Sequence, residues 1–406
     1  MTQLYLKGVI AMMISNVKIC DINGERFANV RVENGLIAEI IEIKENSQTT
    51  LCLIPSLIDL NVRVKDDVLN SKRIEELSCS AAKGGVKELV LNPESTPAID
   101  DEIVLEFVQN SIIAKEGAQI HSSFNTIKAS DATLSNIAIL LKKGAVAPFM
   151  STTTHNNLAI KIAEYVKMYD VTLFCRAEDR SLSNMGVMTE GEVSSRLGLA
   201  GIPAIGELLH VSRLIELARY YGIKVLFKSI ANPRSIEMIT KAKKEGVDVK
   251  CEVSIHHLLH SDELCENFNT SAKIYPPLAT TEDMRLMQEA LKNGEIDILT
   301  TLHQPSSPVN KEVAFFDASY GCESIEEALA LYYTKLVKSN LLNMKDFVRL
   351  CVENPAKVIG KQRGTIEIGS KDFVLFNTEK SLHVSNNQSL YNGEELFGVI
   401  ENIDEI

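Results

Sequence analysis

Between roughly residues 52 and 356 the chain alternates short apolar runs with longer amphipathic stretches, and this rhythm narrows the choice of fold more than any other feature. The strand candidates are 53–60, 88–91, 146–149, 171–175, 225–228, 249–253 and 298–301. Helices are predicted over 157–169, 204–221, 234–245, 281–293 and 323–338. The helix over 281–293 has Thr280 or Thr281 as its N-cap and Glu282 and Asp283 in its first turn, where acidic side chains favour the helix dipole. Strand and helix in alternation build parallel α/β structure. About 300 residues of it fit a (β/α)8 TIM barrel better than a doubly wound sheet.

The two ends read differently. Strands are predicted over 14–19, 27–32 and 36–43, with turns at Asn23-Gly24 and Asn34-Gly35. Asn-Gly between alternating apolar residues is a strong hairpin signal. Residues 373–376 read as another strand, and Asn392-Gly393 as a further turn. The expected division is therefore a barrel over 55–360 and a small β-sandwich-like satellite domain made jointly from 1–54 and 361–406. Residues 8–14 are apolar but short and lack a cleavage pattern. They suggest a non-native or misannotated start over 1–12 rather than a leader peptide.

Composition excludes some partners. The 42 Lys and Arg against 54 Asp and Glu give a net charge of −12. That argues against nucleic acid, whose phosphates need clustered cations, and against anionic membrane surfaces. No apolar run reaches the length of a membrane-spanning helix. The eight cysteines are scattered with no C-x-x-C, so a reducing, cytoplasmic setting is expected.

A barrel places working residues at the C-terminal ends of its strands. Several strand ends carry recognisable segments: Leu53-Ile54-Pro55-Ser56-Leu57-Ile58-Asp59, Glu178-Asp179 with Gly201-Ile202-Pro203 and Glu207, and Glu252-Val253-Ser254-Ile255-His256-His257. Pro276-Pro277-Leu278, Asp297-Ile298-Leu299-Thr300-Thr301-Leu302-His303 and Asn354-Pro355-Ala356 follow in order. Together they resemble the dihydroorotases of the amidohydrolase superfamily. The resemblance implies a cyclic amide hydrolase of pyrimidine biosynthesis. Such an enzyme holds two metals on four histidines, an aspartate and a bridging carboxylate or carboxylated lysine.

The same resemblance shows what is missing. The first two histidine positions hold Asn61 and Arg63, the next two Arg176 and Lys228, and the aspartate position Leu302. The bridging position falls in Pro148-Phe149-Met150-Ser151-Thr152, which offers no Lys, Asp or Glu. Zinc needs imidazole, thiolate or carboxylate donors, so no zinc and no catalytic residue are expected. Lys65 stands where the resemblance implies a substrate arginine, and Glu94 near a substrate asparagine. Tyr275 and Ala279 stand where the resemblance implies an asparagine and an arginine beside Pro-Pro-Leu.

Arg63, Arg176 and Lys228 should converge at the barrel mouth as ends of the first, fourth and fifth strand candidates. Buried cations must be paired, by Glu94, Glu178 and Asp179 or by a bound anion. Lys65 and His303 complete the expected pocket lining. His256, His257 and His260 with Cys265 are the one histidine cluster, and strand-end packing is the expected role. The implied function is a non-catalytic homologue acting structurally or as a regulator, in a homo- or hetero-oligomer whose partner is aspartate transcarbamoylase. The alternatives are an active cyclic-amide hydrolase with an altered or metal-free site, and a sensor of a small dianionic metabolite.

Overall fold

The computed structural model describes residues 2–6, 9–44, 49–111, 117–151, 154–183 and 185–402. Met1, Lys7 and Gly8, part of the segment expected to be a non-native start, lie outside the described residues. An eight-stranded sheet forms the barrel. Its strands are Leu57–Val62, Val86–Leu91, Gln119–Asn125, Ala147–Met150, Thr172–Arg176, Lys224–Lys228, Val249–Ser254 and Ile298–Thr300. All neighbours along this order pair in parallel. Every residue of Leu57–Val62 and of Ala147–Met150 is buried, as a parallel strand covered on both faces requires.

The first and last strands close through a side chain. The Asp59 carboxylate accepts from Thr300 Oγ1 (2.5 Å), Thr301 N (2.8 Å), Thr301 Oγ1 (2.6 Å) and Asn61 N (2.9 Å). A carboxylate has about four acceptor positions, and all are used. Further along, Arg63 N donates to His303 O (2.8 Å) and Asp66 N to Pro305 O (2.9 Å).

The chain ends form a seven-stranded sheet in the order Glu395–Ile400, Phe373–His383, Leu51–Pro55, Val9–Asp21, Gly24–Glu33 and Leu36–Glu42, with Thr2–Leu6 paired to Val9–Asp21. Its core holds Ile14, Val17, Ile19, Val30, Leu53 and Leu375. Asn34 and Gly35, both at positive φ (50° and 76°), make the expected hairpin turn. The turn at 22–23 sits one residue earlier than expected, because Asp21 pairs with Gly24.

Three elements differ from the sequence expectation. The strand expected over 53–60 is two: Leu51–Pro55 belongs to the terminal sheet and Leu57–Val62 to the barrel. The change of sheet comes at Ser56, whose N–H bonds Asp372 O (3.1 Å). The third barrel strand, Gln119–Asn125, is polar along much of its length and gave no apolar run to recognise. The helix expected over 323–338 begins only at Ala328 and widens into a π-helix over Tyr333–Lys338. The N–H groups of Ser324 and Ile325 are instead taken by His303 Nδ1 (3.2 and 3.4 Å). The helix Thr281–Lys292 is capped by Thr280, which accepts from Asp283 N. No helix among the described residues is long and apolar enough to cross a membrane.

Candidate functional site

The barrel floor is filled by the chain itself. Asn61, at the end of the first strand, donates from Nδ2 to Ser229 Oγ (2.7 Å) and to Glu252 Oε1 (2.6 Å). Lys228 ends the sixth strand, donates to Leu60 O, and lies 4.9 Å above the centre of the Phe174 ring. Glu252, from the seventh strand, is fully buried, and its Oε2 has no hydrogen-bond partner. Burial lowers the Lys228 pKa although Glu252 and Asp59 pull it back up. Burial likewise raises that of Glu252 against the opposing effects of Lys228 and Asn61. Both groups are driven toward their neutral forms. The space left among Asn61, Phe149, Lys228, Ser229, Leu302 and His303 is about 10 Å³, at the lower limit for one water.

Above the floor, one carboxylate sits between two guanidinium groups. Glu94 Oε2 accepts from Arg63 Nη2 (2.5 Å), Oε1 accepts from Arg176 Nη2 (2.5 Å), and Arg176 Nη2 also reaches Oε2. Arg63 Nη1 further donates to Glu94 O (3.1 Å) and Asp67 Oδ1 (3.2 Å). Burial raises the Glu94 pKa, but Arg176 and then Arg63 outweigh it and hold the carboxyl at about 2. Burial disfavours the Arg176 cation, and Glu94 and Glu178 reverse this, so the guanidinium stays charged. Arg176 Nε lies 3.6 Å from Glu178 Oε1, too far for a hydrogen bond, and has no hydrogen-bond partner. Tyr275 donates to Glu178 Oε2 and places its ring 5.6 Å from the Arg176 guanidinium. A cavity of about 520 Å³ opens outward from here, lined by Arg63, Glu94, Arg176, Tyr275, Gln304 and Tyr320.

The structure thus brings Asn61, Arg63, Arg176, Lys228, Leu302 and His303 around one floor. Because one strand was missed, Arg176 and Lys228 end the fifth and sixth barrel strands, not the fourth and fifth. Three expected lining residues need correction. Lys65 does not line the mouth; it lies in the turn Lys65–Asp67, and its carbonyl accepts from Arg73 Nη1 (2.6 Å). Asp179 pairs with none of the three cations. It accepts from Ser181 N (2.9 Å) and Oγ (2.6 Å), and it lines a separate crevice of about 70 Å³ with Glu178 and Glu207. Glu178 lies beside Arg176 but lines that crevice rather than the main cavity.

His303 is held as an acceptor, and burial pushes its pKa down to about 3. His256 is bonded to Tyr391 Oη (3.0 Å) and Cys322 Sγ (3.1 Å), and His257 to Ser254 Oγ (2.7 Å) and Pro276 O (3.1 Å). Cys265 instead faces Ala272 O (3.9 Å). Gln304, which donates to Asp67 (3.0 Å), and Ser229 carried no sequence signal of a role. Glu252 lay inside a recognised segment, but only its meeting with Asn61 across the barrel gives it one.

A family model described as dihydro-orotase-like matches residues 51–232. The dihydroorotase of Thermoanaerobacter sp. (strain X514) is 32% identical, over 96% of this chain and 95% of its own length. The chain belongs to the dihydroorotase family. The dihydroorotase of Acetivibrio thermocellus is also 32% identical, over 90% of this chain and 88% of its own. Among solved structures, L-hydantoinase (dihydropyrimidinase) from Arthrobacter aurescens superimposes with a TM-score of 0.80 over 96% of this chain and 93% of its own. At 20% identity that likeness shows the fold alone.

Dihydroorotase-family barrels imply a metal centre, and the residues here do not suit one. Among the described residues no group of three or more His, Cys, Asp or Glu is placed to hold a metal ion. The five positions that the resemblance sets at metal ligands offer an amide, two guanidinium groups, an ammonium and Leu302, which supply no ligand set for a divalent cation. At the bridging position Phe149 and Met150 are buried and apolar, and Thr152 lies outside the described residues. Of the two carboxylates beside the floor, Asp59 is committed to Thr300, Thr301 and Asn61, and Glu252 accepts from Asn61 and faces Lys228. Leu302 keeps a left-handed backbone (φ 49°), a conformation costly for leucine.

Proposed function

We propose that this dihydroorotase-family chain is non-catalytic and serves as a structural or regulatory partner in pyrimidine biosynthesis. The observation that carries this reading is the Glu94 carboxylate held between Arg63 and Arg176, above a floor with room for one water at most. Closing or opening a cyclic amide needs a polarised carbonyl and an activated oxygen nucleophile. Here two cations are spent on the chain's own Glu94, Lys228 shares the floor with Glu252, and His303 is a neutral acceptor already in use. The partner implied by the family resemblance is aspartate transcarbamoylase.

Two measurements test this reading. Dihydroorotate turnover should be absent, and turnover of about 1 s⁻¹ or more would refute it. Mixing with aspartate transcarbamoylase from the same organism should give a larger species by light scattering. Two proteins eluting independently would remove the proposed partner. The names of the relatives favour a second reading, an active cyclic-amide hydrolase with an altered site, and the turnover assay decides between the two.

A further inference from the structure

The geometry at the mouth goes beyond an ion pair that merely fills space. Arg63 and Arg176 expose only 12% and 13% of their side chains, so each needs an anion beside it. Arg63 Nη1 has Asp67 and the Glu94 carbonyl, and Arg176 Nε faces Glu178 at 3.6 Å. The Nη2 groups are different: the bonds they make go to the Glu94 carboxylate. Two guanidinium Nη2 groups aimed at one planar anion make a carboxylate cradle.

That carboxylate reaches the cradle on a fixed stem. Glu94 N donates to Asn92 Oδ1 (3.1 Å), Thr96 N to Asp67 O (2.7 Å), and Leu69 N to Thr96 O (2.8 Å). The loop backbone is therefore held without the Glu94 side chain. The cavity of about 520 Å³ lies against Glu94 and both arginines, so a small solute can reach the cradle from outside. With its pKa held at about 2, Glu94 is ionised throughout the neutral range, and a change of pH there does not free the cradle.

We propose that Arg63 and Arg176 form a carboxylate-binding subsite that Glu94 occupies as a tethered plug, and that a small free carboxylate takes its place once the plug is removed or displaced. Occupied by Glu94, the subsite is closed to exogenous anions. Its natural ligand would be a molecule carrying a carboxylate at one end and a body small enough for the mouth cavity.

The test is replacement of the missing atoms. Glu94→Ala removes a methylene and a carboxylate, which acetate restores. Thermal unfolding of Glu94→Ala is followed with sodium acetate, with sodium chloride at equal ionic strength, and with acetamide. Acetate at about ten times its Kd should raise the variant's midpoint by about 2 °C or more. Chloride and acetamide should not, and the wild type should not respond to acetate. Loss of the acetate response in Arg176→Met/Glu94→Ala would place the anion on the cradle. A folded Glu94→Ala that ignores acetate, or a wild type that responds equally, overturns the proposal. If Glu94→Ala does not fold alone, refolding it with acetate must recover folded protein where chloride and acetamide do not, and no recovery overturns the proposal. Dihydroorotate turnover by the wild type would defeat the proposed function while leaving this result unaffected.

Discussion

Replacing Arg176 by alanine tests the electrostatic account of the mouth most directly. The Glu94 carboxyl is held at about 2, against an ordinary value of about 4.3. At 1.36 kcal/mol per pKa unit, the net of burial and the two arginines is about 3 kcal/mol of stability near neutral pH. Arg176 is the larger contributor of the two. Its removal also loses the contacts of the guanidinium with the Tyr275 and Phe149 rings, at 5.6 and 6.0 Å. Breaking a buried pair from one side costs about 3–5 kcal/mol; Arg63 remains to hold Glu94, so the lower end, about 3 kcal/mol, is expected.

The pH dependence separates this cause from simple loss of packing. A carboxyl whose folded pKa is depressed contributes stability that is present above its unfolded pKa and is lost as pH falls through the folded one. The gap between wild type and Arg176→Ala should therefore be widest near pH 7 and narrow steadily from about pH 4.5 toward pH 2. Urea unfolding midpoints at a series of pH values give both quantities. A gap under about 1 kcal/mol at neutral pH, or one that does not change on acidification, would refute the pairing argument.

Other outcomes follow from the same geometry. Elemental analysis after metal-free purification should find less than one zinc per chain, since the five positions that the resemblance sets at metal ligands hold Asn61, Arg63, Arg176, Lys228 and Leu302; stoichiometric zinc would show that the floor rearranges to bind it. The double substitution Asn61→His with Arg63→His should create no chelator-sensitive dihydroorotate turnover, because ligands that act as one unit do not add singly. Asp59→Asn should destabilise the barrel by about 2–4 kcal/mol, as an amide presents N–H groups to the N–H and hydroxyl of Thr301; a change below about 0.5 kcal/mol in urea unfolding would mean the seam does not depend on that carboxylate.

Much of the barrel was legible along the chain because parallel strands are buried on both faces, so Ala147–Met150 reads as an unbroken apolar run and Leu57–Val62 as one interrupted only by Asp59 and Asn61. Helix starts such as Thr280 ahead of Thr281–Lys292 were legible because capping is local chemistry within a few residues. Gln119–Asn125 was not, since its place in the sheet is fixed by its neighbours on either side and not by its own composition. The break at Ser56 was hidden for the same reason: Leu51–Pro55 and Leu57–Val62 are alike as sequence, and only the partner strands assign them to different sheets.

The five residues that the resemblance sets at ligand positions were legible along the chain, because each lies at or just past the C-terminal end of a strand. Their partners could only be narrowed: Glu94 stood beside Glu178 and Asp179 as a candidate, and the pairing of Asn61 with Glu252 was not in view. Asn61 meets Glu252 and Ser229 across 191 and 168 residues of sequence, and Arg176 meets Glu94 across 82. Asp179, next to Glu178 in the chain, looked like an equal candidate until the fold turned it toward Ser181. Residue type set which charges had to be neutralised. The closure of the barrel decided which carboxylate does it, because a buried charge can be paired only by a group brought within a few ångströms, and that is a property of the tertiary structure.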